Sequence, residues 1–121
     1  MIPLCWMVWR MTRLTPKRYE IYFADLNPTI GSEISKIRPV VIISDDAMNK
    51  YLETVVVCPI TSKIHLQWRT RLQIDCAGKP SEIAADQIRT ISKARLKQKI
   101  DHLSPGQASQ LRRIITEMYG E

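Results

Sequence analysis

Cysteine and histidine are scarce in this chain of 121 residues, and the few present do not cluster. Cys5, Cys58 and Cys76 form neither an even set nor a CxxC pair, which excludes a disulfide framework or a thiolate zinc site and points to a reducing, cytoplasmic setting. His65 and His102 lack the HxxxH or HxxE spacing that puts two ligands on one helical face, so no transition-metal site and no cofactor is expected. Long hydrophobic runs are missing too. The apolar stretch before Arg10 is far shorter than the ~20 residues that cross a bilayer, and its positive charges follow it, the reverse of a secretory signal. No membrane association is expected. Residues 1–16 are treated as an extension, disordered, packed on the domain, or preceding a true start at Met11, and 17–121 as one domain without repeats or linkers.

What the chain does have is positive charge. Eighteen Lys and Arg against twelve Asp and Glu give a net +6, with 45% hydrophobic and 25% charged residues, the composition of one basic, folded globule. At this length folding buries roughly two-thirds of the unfolded surface, enough for a core without staples.

Glu20-Ile-Tyr-Phe-Ala-Asp-Leu26 is aromatic and β-branched enough for a strand, stopped by Asn27-Pro28. Pro39-Val-Val-Ile-Ile-Ser44 and Thr54-Val-Val-Val-Cys-Pro-Ile60 are short, nearly continuous β-branched runs, the signature of buried strands. Arg71-Leu-Gln-Ile-Asp75 alternates, Ala77-Gly78-Lys79-Pro80 supplies a turn, and short strands are expected near 82–85 and 87–91. Helices are expected only late. Ser92 caps a short turn carrying Leu96 and Ile100, and Ser104-Pro-Gly-Gln107 forms a capping box. Beyond it Ala108, Leu111, Ile114, Ile115 and Met118 recur at helical spacing up to Gly120. The pattern predicts a mainly β (α+β) fold, a small bent sheet or barrel closed by a C-terminal amphipathic helix.

Between the first two strands lies a long loop carrying Gly31, Ser32, Glu33, Lys36 and Arg38, and loops of this length are usually functional or disordered. Pro39 fixes Arg38 at a strand entry, where its planar fork either grips a phosphate or merely keeps the loop soluble. The third strand surfaces at Thr61, Ser62 and Lys63. His65, Trp68, Arg69 and Arg71 then interleave positive charge with an aromatic that either stacks on a base or packs on a solvated face. Asp86-Gln87-Ile88-Arg89-Thr90 is a third polar cluster, whose plain reading is strand-edge decoration.

Glu20-Ile-Tyr-Phe-Ala-Asp-Leu-Asn-Pro28, Gly31-Ser-Glu33, Arg38-Pro-Val-Val-Ile42, Pro59-Ile-Thr-Ser62 and Asp86-Gln-Ile-Arg-Thr-Ile91 occur in one order and spacing. In these five segments the chain resembles the MazF/PemK toxins over about residues 17–119. The resemblance implies an SH3-like small barrel of five to seven strands with short helices, working as a homodimer. It also implies the toxin of a type II toxin–antitoxin pair: a sequence-selective, metal-independent endoribonuclease that cuts single-stranded RNA, usually mRNA, and is blocked by an acidic antitoxin protein.

Carried over by position, Arg38 and Thr61 match catalytic residues of that family, Glu33 matches the acidic residue of the loop, and Asp86 an aspartate of plasmid-type members. Those members have arginine where Ala84 stands here and histidine where Ser32 stands, so their acid–base set does not transfer whole. The family's usual glycine before Glu20 is Tyr19. The expected RNA-contacting set is Gly31, Ser32, Lys36, Ser62, Lys63, Trp68, Arg69, Arg71 and Gln87.

Cleavage through the 2′-OH needs proton removal, charge stabilisation at phosphorus and a proton for the leaving 5′-oxygen, and yields 2′,3′-cyclic phosphate and 5′-OH ends. Arg38 suits charge stabilisation, with proton transfer as the other role open to it. Thr61 suits hydroxyl donation to a phosphate oxygen, and Glu33 or Asp86 acceptance of the 2′ proton. Two other classes fit the basic surface: a barrel that only binds RNA or protein, and a toxin of related fold that poisons a DNA topoisomerase.

Overall fold

The computed structural model describes residues 15–26 and 37–120. Seven strands form one curled antiparallel sheet: β1 (Glu20–Asp25), β2 (Ile37–Ile42), β3 (Thr54–Thr61), β4 (Arg71–Cys76), β5 (Lys79–Ala84), β6 (Arg89–Ser92) and β7 (Leu96–His102). Among the described residues two helices accompany them, α1 (Asp46–Tyr51) and α2 (Pro105–Tyr119), with 3-10 turns at Ala85–Gln87 and Lys93–Arg95. The strand order is β4-β5-β3-β2-β1-β7, and β6 also pairs with β3.

That double pairing curls the sheet. Along one edge of β3, Thr54–Val57 pair with β6 and Ile60–Thr61 with β5, so the partner changes midway along the strand. Irregular register between β1 and β7 adds a second bend. The result is a half-barrel, as the strand pattern and the family resemblance led us to expect.

The apolar runs of β2 and β3 are continuous because both faces of these strands are covered. Val41, Cys58 and Ile60 join Ile21, Ile74, Ile83, Ala108 and Leu111 in a core beneath α2. Their neighbours Val40, Ile42, Val55 and Val57 point the other way, into a second cluster with Ala24, Leu26 and Ile91. Burial, with a smaller contribution from Asp86, pushes the Cys58 thiol up to about 12, so it packs as a protonated core group.

Helix α2 begins with the expected capping box: the Gln107 amide donates to Ser104 Oγ (3.2 Å) and the Ser104 amide to Gln107 Oε1 (3.0 Å). It ends at Gly120, whose amide donates to the Thr116 carbonyl. A Cβ at Gly120 would stand 2.7 Å from that carbonyl oxygen, which explains the glycine by close approach. The β4–β5 hairpin closes through Ala77 (φ 51°) and Gly78 (φ 82°), a two-residue turn with both central residues left-handed.

Two local expectations are corrected. A helix forms early, at α1, where Asp45 accepts from the Met48 amide and buried Asn49 donates to the Ser44 carbonyl at 3.0 Å. Leu96 and Ile100 belong to strand β7, because the Ser92-capped turn ends at Arg95 and the chain then pairs with β1. The expected extension lies outside the described residues up to residue 14. Among the described residues no helix is long and apolar enough to cross a membrane.

Candidate active site

Strand β2 enters the sheet at Ile37 and Arg38, both exposed, before Val40 disappears into the core. Strand β3 leaves it at half-buried Thr61. The β2–β3 ladder pairs Val40 with Pro59, and the same register continued by two residues puts Arg38 across from Thr61. Both line a cleft of about 710 Å³ together with Phe23, Pro39, Pro59, Ser62, Lys63, His65, Lys79 and Gln87. The Lys63 amide donates to Thr61 Oγ1 at 3.2 Å, which fixes the side chain and leaves its O–H to donate elsewhere.

One wall of the cleft is a buried ion network. Arg71, on β4, donates from Nη1 to Glu82 Oε2 (2.9 Å) and from Nε to Asp86 Oδ1 (2.8 Å). Glu82, with no exposed side-chain surface, also accepts from the His65 amide (2.7 Å) and Gln73 Nε2 (2.9 Å), and its Oε2 lies 3.0 Å from His65 Nδ1. Burial alone would raise the Glu82 carboxyl, but the bonds from His65, Gln73 and Arg71 outweigh it and hold the group below the ordinary carboxylate range. Asp86 behaves alike: burial works against its charge, and Arg71, with its own backbone and Thr70, more than compensates. Trp68 stacks on the His65 ring, centroids 4.0 Å apart, and lies 4.6 Å from the Arg71 guanidinium carbon.

Of the residues expected at the site, Arg38, Thr61, Ser62, Lys63, Arg71 and Gln87 meet in the cleft. Arg71 does so as a buried cation committed to two carboxylates, not as a free phosphate contact. Asp86 is not part of the lining, and its carboxylate is taken up by Arg71. Trp68 and Arg69 also stand outside the lining, and Trp68 already has a ring partner within the protein. Gly31, Ser32, Glu33 and Lys36 lie outside the described residues. Nothing in the sequence marks Glu82, because a single glutamate in a short strand carries no signal until Arg71, His65 and Gln73 converge on it. In the sequence His65 stands out only as part of a basic stretch. Among the described residues no group of three or more His, Cys, Asp or Glu is arranged to hold a metal ion.

A curled half-barrel with a C-terminal helix, bearing a cleft with a strand-entry arginine and a strand-exit threonine, defines a small basic domain suited to a phosphate-bearing ligand. The family model for PemK-like, MazF-like toxins of type II toxin–antitoxin systems matches residues 17–119, and the chain belongs to that family. It is 45% identical over 93 residues to the endoribonuclease MazF of Staphylococcus saprophyticus, covering 73% of this chain and 78% of the relative. It is 42% identical over 92 residues to the endoribonuclease EndoA of Bacillus subtilis, covering 72% and 79%. Among solved structures, the Mycobacterium tuberculosis toxin MazF-mt6 superposes with a TM-score of 0.71 at 26% identity, covering 83% of this chain and 95% of that one. A MazE–MazF structure from Deinococcus radiodurans shares the fold, with a TM-score of 0.76 at 18% identity and coverage of 88% and 96%.

Proposed function

We propose that this protein is the toxin of a type II toxin–antitoxin pair, a cytoplasmic endoribonuclease that cuts single-stranded RNA at selected sequences by attack of the ribose 2′-OH, without a metal. The observation that carries this reading is that Arg38 and Thr61 line one cleft. Arg38 is a fixed cation that stabilises the extra negative charge on phosphorus as the 2′-oxygen bonds to it. Thr61 donates its hydroxyl to a phosphate oxygen, held in place by the Lys63 amide. Lys63 and Lys79 line the same cleft and attract the RNA backbone. The names of the relatives, endoribonucleases MazF and EndoA, support the same activity.

The working form is a homodimer, and the partner that silences it is an acidic antitoxin whose charge complements the net +6. A solved mycobacterial endoribonuclease in complex with its cognate antitoxin supports a partner of this kind.

The test is primer extension on a long RNA incubated with the protein in excess EDTA. Cuts at a recurring short word, with 2′,3′-cyclic phosphate and 5′-OH ends, are expected. RNA left intact while DNA supercoiling fails would replace this reading with topoisomerase poisoning.

A further inference from the structure

The reaction needs a group to take the 2′ proton, and of the two carboxylates expected to serve, Asp86 is bound to Arg71 and stands outside the cleft lining. His65 is placed differently. It lines the cleft that holds Arg38 and Thr61, and its side chain keeps 31% of its exposure.

The buried Glu82 sets its tautomer. An ionised carboxylate only accepts, so the 3.0 Å contact between Glu82 Oε2 and His65 Nδ1 carries the proton on Nδ1. In the neutral ring Nε2 is then left with its lone pair. The His65 backbone amide, 2.7 Å from Glu82 Oε1, clamps the same carboxylate from the main chain. Stacking on Trp68 fixes the plane of the ring. A buried carboxylate that orients an imidazole, leaving the second nitrogen basic, is the arrangement that makes histidine a general base near neutral pH.

We propose that His65 is the general base of RNA cleavage, with Glu82 as its positioning residue; this rests on the ribonuclease reading above. In the step, His65 Nε2 takes the 2′-OH proton and the freed electron pair forms the 2′-O–P bond. The P–O5′ bond breaks with its pair on the 5′-oxygen, which takes a proton from water, and the imidazolium returns its proton to the hydroxide so formed. The other charged groups of the cleft and its wall are Glu82 and Lys79 on β5, Arg71 on β4 bridging to Asp86, Lys63 after β3 and Arg38 on β2.

The experiment compares wild type, Arg38→Ala, His65→Ala and His65→Asn in single-turnover cleavage of a susceptible RNA from pH 5 to 9, with RNA affinity and thermal melting measured alongside. The asparagine amide can still donate to Glu82 but cannot take a proton, so it controls for folding. Both His65 variants should lose about 10²–10⁴-fold in rate while keeping RNA affinity, lose the rise of rate with pH seen in wild type, and, for the alanine variant, regain part of the rate with added imidazole. Rates within about threefold of wild type with an unchanged pH profile, while Arg38→Ala is inactive, would overturn the assignment and leave the ribonuclease reading standing. Loss of rate without imidazole rescue, and with the pH profile of wild type retained, would reduce His65 to a structural role. Absence of cleavage by wild type would defeat the ribonuclease reading itself, and the base assignment with it.

Discussion

Arg38 and Thr61 line one cleft, the first near the start of β2 where the chain enters the sheet and the second at the last residue of β3 where it leaves. Arg38 is exposed and outside both apolar clusters, so Arg38→Ala should abolish most cleavage at unchanged melting temperature. Thr61→Ala should cost less, about 1–3 kcal/mol for one hydrogen bond to a charged group, read as the ratio of single-turnover rates. Equal losses in the two variants would refute this division of roles.

The buried network makes Glu82 a stability residue as well. Glu82→Ala leaves the Arg71 guanidinium buried with only Asp86 opposite it. Breaking a buried pair from one side costs about 3–5 kcal/mol, so urea unfolding should shift by that order, and Glu82→Leu combined with Arg71→Met should recover much of the loss. A double variant as unstable as the single would show that the pair itself contributes net stability.

Acid should loosen the fold through the same groups. Glu82 and Asp86 are both held below their ordinary values of 4.5 and 3.8, so their contribution is complete above those values and drains away as pH falls through the lower folded ones. Urea midpoints should therefore be flat near neutrality and fall below about pH 4.5. Asp86→Asn should make that fall shallower, and an unchanged slope would remove Asp86 from the linkage.

Tyr19 holds φ at 70°, the left-handed region where a side chain is disfavoured, and it occupies the position that is usually glycine in the family. Its backbone is pinned by bonds to the Ile42 carbonyl and from the Leu103 amide. Its ring lies against the guanidinium groups of Arg18 and Arg112, and Arg112 Nη1 donates to the Tyr19 hydroxyl at 3.2 Å. Tyr19→Ala keeps the strain and loses the ring, whereas Tyr19→Gly loses both. The glycine variant should be the more stable of the two by about 1 kcal/mol, as measured by thermal unfolding, and the reverse order would show that no strain is stored there.

Much of this architecture was legible in the chain itself. The β-branched runs announced β2 and β3, the capping box announced α2 to the residue, and the five matching segments located Arg38 and Thr61. What escaped depends on contacts distant in sequence. Helix α1 has six residues, too few to show a period, and is fastened by Asn49 to Ser44. Strand β7 has Lys97, Gln98 and Lys99 exposed in succession at the sheet edge, a pattern without the apolar alternation of a half-buried strand. In the sequence Arg71 reads as an RNA contact because nothing near it reveals that Glu82 and Asp86 fold back to claim it.

Pro39 and Pro59 both line the cleft, and an imino acid has no amide hydrogen to offer a guest. The main chain at those two points can accept a hydrogen bond from a nucleobase through its carbonyl oxygen but has none to donate. Donors to a base at those points must come from side chains such as those of Ser62, Lys63 and Gln87, which can be exchanged without rebuilding the sheet beneath.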